Sequence, residues 1–487
     1  MTAPLSCWRS SSIFVTLVKR LIFAKIEVNR IIHFLADHQL YMESLLSEAR
    51  SGYLNLSRAP LSHRNSLLRN LKDSLVANRE AIESANREDL EECHALASAG
   101  QISQTLVERL GLHSSKFDSL LKMVESVENL EDPLNIVSYS HDMLADGTLS
   151  VHRVSCPIGV IAVIFESRPE AAVQIASLCI KSGNAVILKG GKEARRTCRA
   201  LVDAMQSVPG LGEVVKLVES REDIKTLLSM DKYVDLLIPR GGADLVRYCK
   251  ANTTIPVLGH ADGICSVYVD KDADLEMAKR IVEDAKTQYP AVCNAAETLL
   301  IHQEILPKLL TLVDPLVKRN VQLRVCPRSF EILKGSPNVV EAKESDFQTE
   351  YCDFIMAVKT VDSVDHAIRH INSNGSHHSD AIVTANAETA ELFFESIDSA
   401  DVMWNASTRF ADGNRFGFGA EVGVSTNKIH ARGPVGLEGL TTYKYRIYGN
   451  GNTVGSDGPR LVPISKPTKK RTVRDVTAEQ EAKRNRS

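Results

Sequence analysis

The sequence predicts an α/β chain with two domains, each built on a parallel sheet, and a small β element beside them. Three observations carry this. Short apolar runs of strand length alternate with helical stretches, as in "IGVIAVIF" (158–165), "AAVQIASLCIKSG" and "NAVILKGG". Continuous apolar runs suit strands buried on both faces, and strands alternating with helices build parallel sheets. A second such series, "ETLLIH", "FIMAVK", "AIVTAN" and "DVMWNA", begins after about residue 263. Finally, 487 residues at 44% hydrophobic content are enough for two or three cores.

The elements follow in order. Residues 1–26 hold no acidic residue and carry Arg9, Lys19, Arg20 and Lys25 among Ser, Leu, Ile and Phe. Residues 1–41 are therefore expected to be an extension, either a targeting segment or chain ahead of the true start at Met42. From 42 to about 133 the spacing of Leu45, Leu46, Ala49, Leu67, Leu68, Leu71 and Leu75 predicts helices. Residues 134–153 alternate loosely around Asp146-Gly147, a hairpin signal. Strands "VVKLVE", "VDLLIPRGG" and "CSVYVD" come next, with helices between them. "TTYKYRIYG" (441–449) alternates strongly and reads as an edge strand able to reach a partner subunit. The basic, polar tail at 456–487 is expected to be disordered, because it has too little apolar surface to offset its chain entropy.

A net charge of -3 argues against a nucleic-acid partner, and no apolar run is long enough for a membrane span. The ten cysteines show no C-x-x-C pair and no regular spacing, which fits a reducing compartment, with cytoplasm expected. If residues 1–41 are a true targeting segment, the mitochondrion is the alternative.

Several stretches are candidates for chemistry. Cys293, in "QYPAVCNAAETLLIH", sits in a turn of small residues ahead of a buried strand, where a substrate can approach a thiol. A buried, inert thiol is the plainer reading. Gly241 and Gly242 open a helix after a strand, a place for a phosphate or for an ordinary turn. Lys189 ends a buried strand, where ligands of open α/β sheets bind, yet it also reads as a solvated loop lysine. Ser167 and Arg168, in "IFESRPEAA", offer a hydroxyl and a guanidinium at another strand end, or a local ion pair. Arg409 and Arg432 lie in a long loop rich in Gly, Asn and Thr, placed to hold a carboxylate or merely solvated. His370, His377 and His378 have no third ligand at metal-site spacing, so no metal site is expected.

Five blocks in order, "PIGVIAVIFESRP", "NAVILKGGKEA", "QYPAVCNAAETLLIH", "HINSNGSHHSDAIVTAN" and "NASTRFADGNRFGFGAEVGVSTNKIHARGPVGLEGLTTYKYRIYGNG", resemble the gamma-glutamyl phosphate reductase branch of the aldehyde dehydrogenase superfamily. The resemblance spans nearly all of residues 45–455. Asn374 departs from it, standing where that family usually has His or Tyr. The resemblance implies an aldehyde dehydrogenase-like fold. Its parts would be a Rossmann-type NADP-binding domain at 42–262, interrupted by an oligomerisation hairpin at 134–153, a catalytic domain at 263–435, and an oligomerisation strand at 436–455. It implies NADPH as cofactor, L-glutamate 5-phosphate as substrate, glutamate 5-semialdehyde as product, and a homo-oligomer, dimer or tetramer. By position Cys293 matches the nucleophile. Lys189, Gly241, Gly242 and Glu350 match cofactor contacts, and Ser167 falls at the oxyanion-hole asparagine. Arg168, Arg409 and Arg432 remain as candidates for the substrate carboxylate.

That identity would fit the chemistry. A thiolate attacks an acyl phosphate, expels phosphate and leaves a thioester for reduction. Hydrolytic relatives carry a glutamate that activates water, and Val257 stands at its position here. Two other readings stay open: an NAD(P)-dependent dehydrogenase of a different aldehyde, and a cofactor-binding scaffold without catalysis. Residues 1–41 are too short for the kinase domain fused to some such reductases. The labile acyl phosphate is thus expected from a separate glutamate 5-kinase, a candidate physical partner.

Overall fold

A computed structural model describes residues 37–144, 147–454 and 471–472. The expectations for the first 36 residues, for Asp146 and for most of the tail lie outside these residues. The first helix runs over 37–56, so it begins five residues ahead of Met42. His38 in its first turn meets Asp223 at 2.7 Å.

Four parallel strands form the first sheet, in the order Val215–Leu217, Ala185–Lys189, Val160–Phe165, Leu236–Arg240. Residue parity decides which face each side chain covers. Val160, Ala162 and Ile164 pack with Met42, Leu46 and Ala49 of the first helix. Ile161, Val163 and Phe165 pack on the opposite side with Leu67, Leu68 and Leu71 of helix Leu61–Ala77 and with helix Ala171–Lys181. The leucines that the helical spacing singled out are thus the ones that cover the sheet.

The second sheet has seven parallel strands, ordered Val339–Glu341, Gln322–Val325, Ile355–Val361, Ala296–His302, Cys265–Val269, Ser379–Val383, Asp401–Trp404. Helices Leu275–Thr287 and Leu309–Lys318 cover one face and Val364–Asn374 and Ala387–Ser396 the other. The two strands at 322–325 and 339–341 were not expected. They are four and three residues long and carry too little pattern to separate from loop.

The third sheet is antiparallel. Strand Ile136–Asp142 pairs with Ser150–Pro157, which pairs with Thr441–Tyr448 from Thr441 opposite Pro157 to Tyr448 opposite Ser150. Residues 471–472 pair with the start of the first of these strands, so this piece of the basic tail has a partner. Among the described residues Thr441–Tyr448 is an edge strand, with Tyr443, Tyr445 and Ile447 more than half exposed.

Candidate active site

The cysteine loop joins helix Leu275–Thr287 to strand Ala296–His302. Asp274 caps the helix by accepting from the Met277 N–H at 2.7 Å, and Pro290 follows its end, where a helix cannot continue. The strand is buried at every position, so the loop between is anchored at both ends.

Polar contacts then fix the loop residue by residue. Arg109 donates to the Ala291 carbonyl at 2.9 Å. The Cys265 thiol donates to the Cys293 carbonyl at 3.2 Å. Asn294 donates to the Ala411 carbonyl at 2.8 Å, and its own carbonyl accepts from Thr408 at 2.7 Å. Arg409 holds the Asn294 side chain and reaches Gln288 at 2.9 Å. Cys293 itself is half-buried and faces a cleft of about 500 Å³.

Gly263 carries the loop from behind. A Cβ there would lie 2.2 Å from the Cys293 carbonyl oxygen and 2.6 Å from its Cβ, distances no backbone tolerates. Gly263→Ala is therefore expected to displace the thiol while the sheets stay folded. A shift near 1 Å costs on the order of 10²-fold in rate. Steady-state kinetics beside an unchanged circular dichroism spectrum would check it, and a rate close to the parent would mean the loop moves freely.

The cleft opens between the carboxyl ends of the first sheet and the cysteine loop, where open α/β sheets take their ligands. Gly241 and Gly242 line it at the start of helix Ala243–Ala251. A Cβ on Gly242 would meet nothing within 4 Å, so its backbone is open to an approaching group, and its N–H donates to Glu166 at 3.1 Å. Lys189 ends its strand buried, with Nζ on the Gly190 carbonyl at 2.6 Å, and burial lowers its pKa. Glu350 lines the cleft and accepts from the Gly263 N–H, with its carboxyl pushed up by burial.

Ser167 and Arg168 also line it. Ser167 holds a left-handed φ of 56°, a strained backbone for a non-glycine residue. Its N–H donates to Glu193 at 2.9 Å and its hydroxyl to the same oxygen at 3.3 Å. Arg432 is elsewhere. It donates to Asp398 at 3.0 Å and lines a separate cavity of about 620 Å³ with Leu130, Phe418 and Leu437. The fold thus brings Arg168 and Arg409 to the cleft of the cysteine but not Arg432.

Val257 pairs with Leu237 in a β-bridge, and its carbonyl accepts from Asn427 at 2.8 Å. Two basic side chains stand near the sulfur, His260 and His378. One nitrogen from each of His260 and His378 and the Cys293 Sγ lie within 4.8 Å of one another. His260 donates from Nδ1 to the Val424 carbonyl at 2.8 Å, and burial lowers its pKa, so a neutral ring presents its other nitrogen.

The aldehyde dehydrogenase family model matches residues 26–331 and 336–444. The chain belongs to the aldehyde dehydrogenase family. Within that family it is 46% identical over 427 residues to a probable gamma-glutamyl phosphate reductase of Schizosaccharomyces pombe, covering 86% of this chain and 94% of that one. It is 50% identical over 394 residues to the gamma-glutamyl phosphate reductase of Nostoc punctiforme, covering 79% and 89%. The crystal structure of the Thermotoga maritima gamma-glutamyl phosphate reductase is 39% identical and superposes with a TM-score of 0.80, covering 85% of this chain and 99% of that one.

In this member of the family the site also contains residues that sequence reasoning did not single out. A second cavity, of about 460 Å³, adjoins the cleft and shares Arg168, Arg240, Asp412 and Glu421 with it, adding Lys122. Burial works against the Arg240 charge and Glu421 supports it, while burial pushes the Glu421 carboxyl up. Arg240 had a legible signal, its place at the strand end just before Gly241. Lys122 had none, being one polar residue on the helix Ser114–Asn129.

Proposed function

We propose that this chain is a gamma-glutamyl phosphate reductase that converts L-glutamate 5-phosphate to L-glutamate 5-semialdehyde and phosphate with NADPH, a step of proline biosynthesis. The observation that carries this reading is the position of Cys293. It is held on a braced loop where a cofactor-sized cleft meets a cavity lined by both cations and carboxylates. The named relatives support the same substrate.

The substrate offers an acyl phosphate at one end and an α-amino acid at the other. Arg168, Arg240 and Lys122 suit its anionic groups, and Asp412 and Glu421 suit its ammonium. Arg409 contributes by holding Asn294, and through it the loop. His260 takes the Cys293 proton. The thiolate then forms a bond to the acyl carbon, and the carbon–oxygen bond to phosphate breaks with its electron pair leaving on phosphate. The Cys293 backbone N–H stabilises the oxyanion, helped by the Ser167 hydroxyl as it trades its long bond to Glu193. Gly241, Gly242 and Glu350 fit the dinucleotide, since they set an open helix start and an acceptor along one cleft, and Lys189 adds a cation at the end of the neighbouring strand. NADPH, when bound, supplies the hydride to the thioester carbon. The carbon–sulfur bond then breaks, releasing the aldehyde and returning the thiolate.

The test is the reverse reaction. Oxidation of glutamate 5-semialdehyde with NADP is expected to depend on inorganic phosphate, which must attack the thioester, with a rate more than about tenfold lower without it. An equal rate in phosphate-free buffer would mean that water is the acceptor and would favour the plain aldehyde dehydrogenase reading.

The remaining readings concern assembly. The exposed Tyr443, Tyr445 and Ile447 on an unpaired edge support a homo-oligomer formed through the small sheet. No helix among the described residues is long and apolar enough to cross a membrane. The nine cysteines described are all free, which supports a reducing cytoplasm. A glutamate 5-kinase partner follows from the lability of the acyl phosphate.

A further inference from the structure

We propose that His260, Cys293 and His378 form a site for a thiophilic divalent cation of the zinc class, and that the cation switches the nucleophile off reversibly. This goes beyond the reductase reading, which needs no metal. The donor atoms, one from each residue, lie within 4.8 Å of one another. The two imidazoles meet edge to face, with ring centres 4.7 Å apart.

Each ring sets its Nδ1 against an oxygen of the surrounding protein, as metal-binding histidines do. Such a histidine presents one nitrogen to the ion and gives the other to an oxygen of the surrounding protein. His260 gives Nδ1 to the Val424 carbonyl at 2.8 Å. His378 sets Nδ1 2.8 Å from the Ser379 hydroxyl. The second nitrogen of each ring is the one left over. In His378 that nitrogen, Nε2, is fully buried with no hydrogen-bond partner among the described residues. Leaving a buried polar atom unpaired costs roughly 1–3 kcal/mol, so an orphan of this kind points to a ligand.

One thiolate and two imidazoles are a zinc donor set. Tetrahedral zinc holds its ligand atoms about 3.3–3.7 Å apart, given bond lengths near 2.0–2.3 Å. The half-buried Cys293 side chain can close that gap by rotating on its loop, with water taking the fourth position from the cleft. Binding involves no redox change. The cation displaces the thiol proton to solvent, a sulfur–metal bond forms, and a chelator with a proton reverses it. A sulfur bound in this way cannot attack an acyl phosphate, so occupancy and turnover exclude each other.

The binding measurements use the full chain and Zn2+ or Co2+ alone, without substrate, so their outcome stands apart from the reductase assay. One Zn2+ per chain should bind in competition with a chromophoric chelator. Co2+ should give a thiolate charge-transfer band that is lost in Cys293→Ser. Activity should fall in step with occupancy and return with EDTA. His260→Asn and, separately, His378→Asn should each weaken Zn2+ at least about tenfold. The His260 variant, in a half-buried loop, stays informative if the buried His378 variant unfolds. The proposal is overturned if the parent binds no Zn2+ at micromolar concentration. It is equally overturned if His260→Asn leaves both the affinity and the cobalt spectrum unchanged.

Discussion

Cys293→Ala is expected to lower turnover by on the order of 10⁴-fold or more while NADPH binding stays close to that of the parent. The separation of the two effects follows from how the loop is held. Its anchors are the Ala291, Cys293 and Asn294 backbone and the Asn294 side chain, none of which the substitution removes. The cleft wall opposite, at Gly241, Gly242 and Glu350, does not depend on the thiol. Two other cysteines lie near enough to be considered as nucleophiles, and both are poor ones. Cys265 is fully buried, and burial drives its thiol far up. Cys352 is more exposed, but desolvation and the carboxylates of Glu350 and Glu297 push it up to about 12. Phosphate-dependent oxidation of the semialdehyde measures the loss, and a fluorescence titration with NADPH measures the retained binding. A variant that kept most of its turnover would assign the chemistry to a different group.

What was legible in the sequence follows what local pattern can encode. Val160–Phe165 and Ala296–His302 are continuous apolar runs, and both are wholly buried strands. The hairpin and the alternating run at 441–448 also come out as strands, because period-two patterning suits a pleated backbone. Cys293 was legible through its setting of small residues between a proline and a buried strand. The histidine pair was not. His378 has its neighbours at Cys265, Ser379 and His260, and only Ser379 is adjacent in sequence. No spacing rule reaches from residue 260 to 378, since the three donors are brought together by two parallel strands and a loop. The same holds for Lys122 and Glu421, which face one cavity from a helix and a distant loop. Arg432 stands apart for a related reason. A loop rich in small residues reads as one unit, yet its arginines part company, Arg409 toward Asn294 and Arg432 toward Asp398.

The most consequential stability prediction concerns a pair that takes no part in the chemistry. Lys286→Met is expected to destabilise the fold by roughly 3–5 kcal/mol. Lys286 ends the helix before the cysteine loop, and Glu297 starts the strand after it. Their charges meet at 2.6 Å with both side chains fully buried. Glu297 also accepts from the Cys352 N–H at 3.3 Å, so the pair closes the base of the loop and ties it to the segment that carries Glu350. Methionine fills the lysine's volume but leaves the Glu297 carboxylate buried without its partner. Burial already pushes that carboxyl up, and Lys286 opposes the push. Without the lysine its folded pKa rises further above its unfolded value. The deficit is therefore largest at high pH and shrinks on acidification, as the carboxyl takes up a proton in the folded state. Urea unfolding across pH, read as a fall in midpoint at constant slope, measures this. Adding Glu297→Leu to Lys286→Met should recover most of the stability, because a well-packed apolar pair can replace a buried ion pair. Activity should fall in the double variant, since the Cys352 N–H then loses its Glu297 acceptor and the loop its brace. A single variant within about 1 kcal/mol of the parent would show that the pair contributes no more than a surface contact.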